Sequence, residues 1–176
     1  MKLSRFLTGN VLMFGLLVGG LWGPARSGGS TLTCCLVVNH GVGSVRPGMS
    51  ADEMFRVCGH KDTKLVDLQL EGFFSPALMV QCDGHSVTAE LTMSQNVWTV
   101  FRIRLTDPCF HTREGIAIGS TFEAIKRAYP DVSISSGEGR EFAQSADKAV
   151  SFQMSSPVGS LPRANDKVVA IVISGM

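Results

Sequence analysis

The sequence predicts an α+β fold, a largely antiparallel sheet carrying two short helices. Glycine-bearing turns near residues 41–50 and 115–121 each end in a hydroxyl residue that precedes an amphipathic stretch, which is how a capped helix begins. Around them lie apolar–polar alternations separated by tight-turn residues, which read as strands. Long runs of strands interrupted by only two helices favour antiparallel pairing.

The elements follow in chain order. Lys2 and Arg5 precede an uncharged apolar run at residues 11–22 (VLMFGLLVGGLW). As a helix this run spans about 18 Å, short of a hydrocarbon core of about 30 Å. Its glycines weaken it further as an anchor, and the small residues that follow (GPARSGGS) suit a signal peptidase. The expectation is a cleavable signal at residues 1–27, its end defined to about three residues. Residues 28–176 then form one α+β domain, with 32–105 and 106–176 as candidate subunits. A periplasmic or secreted location follows, with no stable membrane span after cleavage. A lipoprotein signal fits poorly, because Cys34 and Cys35 lie well beyond Trp22 and Thr33 precedes them.

Residues 32–38 are the first expected strand. Glycines and Pro47 exclude a helix over residues 41–49. Ser50 and Glu53 then form a capping box for a helix reaching about Val57. Met54 and Val57 share its apolar face beside Phe55, and Gly59 is its stop. Residues 65–70 alternate. Residues 77–82 and 85–91 flank Asp83-Gly84, a two-residue hairpin signal. Residues 97–105 (VWTVFRIRL) place Val97, Thr99, Phe101, Ile103 and Leu105 on one face and Arg102 and Arg104 on the other.

The second unit opens with an apolar strand at 115–119. Either Ser120, with Glu123, or Thr121 caps the next helix. Phe122, Ile125 and Tyr129 form its buried stripe, and Pro130 ends it. Residues 132–135 are a short strand, and 136–146 read as a polar loop around Phe142. Residues 149–154 and 167–173 are two more strands, joined by a proline-bearing surface loop at 155–166. Aligning Gly48 with Gly119 matches Ser50 to Thr121, Met54 to Ile125 and Val57 to Ala128. That alignment fits a degenerate repeat of two units, or two ordinary strand–helix turns.

Residues 97–105 and 115–125 (GIAIGSTFEAI), together with the opening Gly41-Val42-Gly43, resemble small bacterial envelope proteins of unknown function, the sigma-E-regulated lipoprotein family in particular. The Gly48-Met49-Ser50 turn is similar to the repeated strand–helix turn of the outer-membrane assembly lipoprotein and β-lactamase-inhibitor group. These shared features are structural turns, so the resemblance implies an envelope protein and carries over no catalytic residues. Lipid anchoring is not carried over, since an acceptor cysteine directly after the signal is lacking.

Sixteen basic residues oppose fifteen acidic ones, and the charges are interspersed. With one tyrosine and two tryptophans, the chain offers neither the basic stripe nor the stacking platform of a nucleic-acid binder. All five cysteines (Cys34, Cys35, Cys58, Cys82 and Cys109) follow the signal, and export favours disulfides. Cys58, at a helix end, and Cys82, at a hairpin, are the first-ranked pair. Cys82–Cys109 comes next, then Cys34 or Cys35 with Cys109.

Each histidine follows a cysteine closely (Cys35…His40, Cys58-Gly-His60, Cys82-Asp-Gly-His85 and Cys109-Phe-His111), which makes Cys58, His60, Cys82, His85, Cys109 and His111 the foremost candidate zinc or copper ligands. On an extended strand Cys109 and His111 would point the same way. Paired Cys-x-x-Cys spacing is absent, however, and oxidation would consume the thiolates. Catalytic signatures are missing as well. Ser145-Ala-Asp-Lys148 has the Ser-x-x-Lys spacing without its companion motifs. Gly137-Glu-Gly-Arg140 reads as a turn, and Asp67, Asp107 and Asp131 read as solvated surface. The expectation is a non-enzymatic exported envelope protein with no cofactor. It is a small protein-interaction or inhibitor-type domain that binds another envelope or extracellular protein through its sheet. The alternative is a metal-binding or thiol-active envelope protein using these Cys and His positions.

Overall fold

The structure, a computed structural model, describes residues 35–38, 40–58, 63–70, 72–82, 84–146 and 149–175, without the side chains of Leu70, Phe73 and Cys82. The expected signal, His60 and Lys148 lie outside the described residues. The order is β1 (Leu36–Val38), β2 (Gly41–Val42), α1 (Ala51–Cys58), β3 (Thr63–Leu70), β4 (Phe73–Cys82), β5 (His85–Ser94) and β6 (Val97–Leu105). There follow β7 (His111–Thr112), α2 (Phe122–Ala128), β8 (Ser133–Gly137), β9 (Arg140–Gln144), β10 (Val150–Pro157) and β11 (Val168–Ser174). An eight-stranded sheet runs β3-β4-β5-β6-β11-β10-β9-β8, antiparallel throughout. A small sheet, β2-β1-β7, joins β1 to β7 in parallel. The fold is α+β and mostly antiparallel sheet with two short helices, as the alternations suggested.

Strand pleating decides which residues form the core. One cross-strand row carries Val80, Val87, Leu105, Ile171, Phe152 and Ala143, all fully buried. Met54 of α1 and Phe122 and Ile125 of α2 belong to the same core. Both helices start where local chemistry dictates. The Glu53 N–H donates to Ser50 Oγ (3.2 Å) and the Ser50 N–H donates to Glu53 Oε2 (2.8 Å), a reciprocal box. Of the two cap options at the second helix, Thr121 is used: Ala124 N–H donates to its Oγ1 at 3.1 Å. Ser120 instead accepts from the Ala117 N–H.

The two helical units dock alike. Gly48 N–H donates to the Val100 carbonyl, and Val100 N–H donates to the Met49 carbonyl. Gly119 N–H donates to the Val168 carbonyl, and Val168 N–H donates to that of Ser120. Both glycines have positive φ, +90° and +86°, where a side chain would be strained. Each unit thus sends a glycine turn onto its own fourth meander strand, β6 or β11, and β6 and β11 pair with each other.

Three local expectations need correction. Residues 115–119 are a turn, with Ala117 bridged to His111, because Gly115 and Gly119 both take positive φ. Residues 136–146 are mostly the β8–β9 hairpin, turning at Glu138 and Gly139 with φ of 52° and 68°. The alternation in β6 breaks at Phe101. Glu90 faces Arg102 but Leu91 faces Val100, so Phe101 is an extra, bulged residue. Val100 consequently enters the core and Phe101 stays partly exposed.

Candidate functional site

The chain brings its reactive side chains together at one end of the large sheet, where β4 turns into β5 and β6 leaves it. His85 is the first residue of β5. Asp107 and Cys109 lie in the turn after β6, beyond Leu105. Cys35 immediately precedes β1, and the His111 N–H donates to its carbonyl at 3.0 Å. Parallel pairing of β1 with β7 therefore fixes Cys35 beside Cys109. The two form a disulfide with Cα atoms 5.4 Å apart, within normal bridging range.

His85 completes the cluster. The two sulfurs and a ring nitrogen of His85 all lie within 4.8 Å of one another. His85 Nδ1 is 3.0 Å from Asp107 Oδ2, and Asp107 Oδ1 accepts the Cys109 N–H at 2.9 Å. One carboxylate thus ties the histidine to the cysteine turn. The Cys109 N–H and then His85 hold the Asp107 carboxyl below the usual carboxylate range. The ring is further placed by an edge contact with Phe110, which is fully buried. Cys35 is buried, whereas Cys109, His85 and Asp107 are half-buried and reachable from solvent.

Of the metal-ligand candidates, the structure brings together His85 and Cys109. His111 turns aside: its Nδ1 lies 2.9 Å from the Cys109 carbonyl oxygen, because residues 107–110 form a turn and not the expected extended strand. Cys58 ends α1; His60 and the Cys82 side chain fall outside the described residues, so the Cys58–Cys82 pairing does too. With Cys109 bonded to Cys35, a Cys82–Cys109 bridge is excluded. Asp107 was absent from the ligand set read off the sequence, and Cys35 entered it only as the cysteine before His40. Asp107-x-Cys109 carried a readable signal, since an aspartate two residues before another residue commonly accepts its backbone N–H.

A second constellation crosses the sheet face away from the helices. Glu90 is fully buried and accepts from Arg102 Nε at 2.8 Å and Arg104 Nε at 3.1 Å. Glu138, at the β8–β9 turn, pairs with both arginines. Arg104 also donates to Gln153 Oε1 at 3.1 Å. Since β10 and β11 separate β9 from β6, this contact requires the outer hairpin to curl across the sheet. The Ser-x-x-Lys serine closes the turn into β10: Ser145 Oγ donates to the Val150 carbonyl.

No family model matches the chain. No curated protein matches it either. Among solved structures it is similar to the uncharacterized protein yfeY from Escherichia coli, with a TM-score of 0.53 and 18% identity over 77% of this chain and 96% of that one. At that identity the likeness shows the fold alone.

Proposed function

We propose that this chain is an exported, non-enzymatic envelope protein whose sheet docks another protein. One observation carries the reading. Phe74, Met93, Val97 and Trp98 are 73%, 50%, 49% and 41% exposed. They sit at the end of the sheet holding the β3–β4 and β5–β6 turns, opposite the disulfide end. Met93 and Trp98 are direct cross-strand partners, and the turn between them uses Gln95 and Asn96 at positive φ. An exposed Met93–Trp98 pair, with Phe74 and Val97 exposed at the same end of the sheet, is the kind of apolar surface that partner proteins bury.

Other observations support the setting. The Cys35–Cys109 disulfide suits an oxidising compartment, in keeping with the short apolar run at residues 11–22. No helix among the described residues is long and apolar enough to cross a membrane. The matched glycine-turn hydrogen bonds, and a helix plus a four-strand meander in each unit, favour a degenerate repeat joined at β6 and β11. The resemblance to sigma-E-regulated envelope proteins points the same way. An inhibitor-type role and the identity of the partner rest on this proposal.

The test is affinity capture from the native envelope with the wild-type chain and a Phe74→Ser/Trp98→Ser variant. A specific partner retained by the wild type and reduced at least about tenfold by the variant supports the reading, a tenfold change being about 1.4 kcal/mol of binding. Unchanged capture by a variant with an unaltered melting curve overturns it.

A further inference from the structure

We propose that Cys35, Cys109 and His85 form a redox-gated site for a divalent metal ion of the zinc class, closed while the disulfide stands and opened by reduction. The inference does not depend on the docking surface, which lies at the other end of the sheet.

The three donors already converge, their ligand atoms lying within 4.8 Å of one another. Around a tetrahedral zinc ion, with Zn–S about 2.3 Å and Zn–N about 2.0 Å, such atoms sit roughly 3.5–3.8 Å apart. The sulfurs must separate from bonding distance and the histidine must close in slightly, both small movements. The positions of the two cysteines do not depend on the disulfide alone, because β1 and β7 pair directly beside them. Two thiolates and one imidazole form a soft set suited to zinc, with a fourth position left to water.

The surroundings also fit. A metal-bound histidine usually gives its other ring N–H to a carboxylate, which fixes its tautomer and orientation. Asp107 holds His85 Nδ1, which leaves Nε2 as the atom to bind the ion, and it braces the Cys109 turn as well. The partial exposure of Cys109 and His85 gives a reductant and an ion a way in.

The chemistry balances. A dithiol reductant is oxidised to its disulfide; the Cys35–Cys109 bond breaks and each sulfur gains a hydrogen. A divalent ion then binds both sulfurs and a His85 nitrogen, and the two thiol protons pass to solvent. A disulfide oxidant reverses the step: it takes two electrons from the thiolates and two protons from solvent, becomes a dithiol, and the Cys35–Cys109 bond re-forms as the ion leaves.

Cobalt(II) is the probe. The full-length chain is reduced with a phosphine, freed of it under anaerobic conditions and titrated with Co2+, while near-ultraviolet absorption and far-ultraviolet circular dichroism are recorded together. The expected result is one Co2+ per chain with sulfur-to-cobalt charge-transfer absorption, native dichroism and displacement by Zn2+. The oxidised chain should show no such absorption. Cys35→Ser and Cys109→Ser should each abolish it, His85→Ala should weaken binding at least about tenfold, and Asp107→Asn by about 10- to 100-fold. Absence of the band in the reduced chain overturns the site. So does a band that survives both serine variants, one unaffected by His85→Ala, or one that appears only with loss of native dichroism.

Discussion

Glu90 is fully buried, and two arginines and a glutamine surround its carboxyl network on the curled face of the sheet. Removing the carboxylate would leave Arg102 and Arg104 facing a polar void with only Glu138 to share. Breaking a buried ion pair costs about 3–5 kcal/mol, and the arginines' partial exposure argues for the lower end of that range. Glu90→Ala should therefore lose about 3 kcal/mol in urea unfolding, and a loss below about 1 kcal/mol would show that water readily replaces the carboxylate. The cap at Glu53 gives a pH dependence. The Ser50 N–H, then the Ser50 hydroxyl, hold its carboxyl below the usual range. A depressed folded value means the stabilisation is complete above the unfolded value of about 4.3 and is lost as pH falls through the folded value. Glu53→Gln should flatten this part of the acid-induced fall in urea midpoint, with a slightly lower midpoint than the wild type at neutral pH and convergence of the two in acid.

At the scale of elements, legibility followed how local the determining forces are. Capping chemistry acts over three residues, so both helix starts could be read from Ser50, Glu53 and the Ser120–Thr121 pair. β9 was hidden because Glu141, Phe142 and Ala143 are all buried: the curled hairpin covers both faces and erases the alternation by which strands are recognised. The Cys35–Cys109 pairing, across a separation of 74 residues, ranked third because it depends on a parallel contact between two very short, distant strands, for which no local pattern exists. His85 was legible as a member of the Cys/His cluster, whereas its partner Asp107 passed for surface. The bulge in β6 reversed an alternation that looked clear, and it yields a test. Regular alternation would make Phe101 a core residue; the structure puts Val100 there instead. Val100→Ala should cost about 2 kcal/mol by leaving a cavity, and Phe101→Ala less than about 1 kcal/mol, as partly exposed side chains do. Equal losses in chemical denaturation, or a larger one at Phe101, would contradict the bulged register.

Across the whole molecule, residues on either side of position 105 share one core and one seam. Val80 and Ile103 belong to the same buried cluster as Phe152 and Ile171, and β6 pairs with β11 from Leu105 to Arg102. Residues 32–105 alone would expose the β6 edge and half of that cluster, so the chain should unfold in a single transition by fluorescence and circular dichroism alike. The disulfide joins Cys35 of residues 32–105 to Cys109 of residues 106–176 and closes a sequence separation of 74 residues. Loop-closure entropy for such a span corresponds to roughly 4 kcal/mol in the chain-entropy model. Total stability for a domain of this size is about 5–15 kcal/mol, so the reduced chain should remain folded with a smaller margin. Reduction should lower the urea midpoint with little change in cooperativity, and Cys35→Ser and Cys109→Ser should match each other closely because each removes the same bridge. A reduced chain that loses its native dichroism without denaturant would show that the bridge, and not the β1–β7 pairing, holds this end of the molecule together.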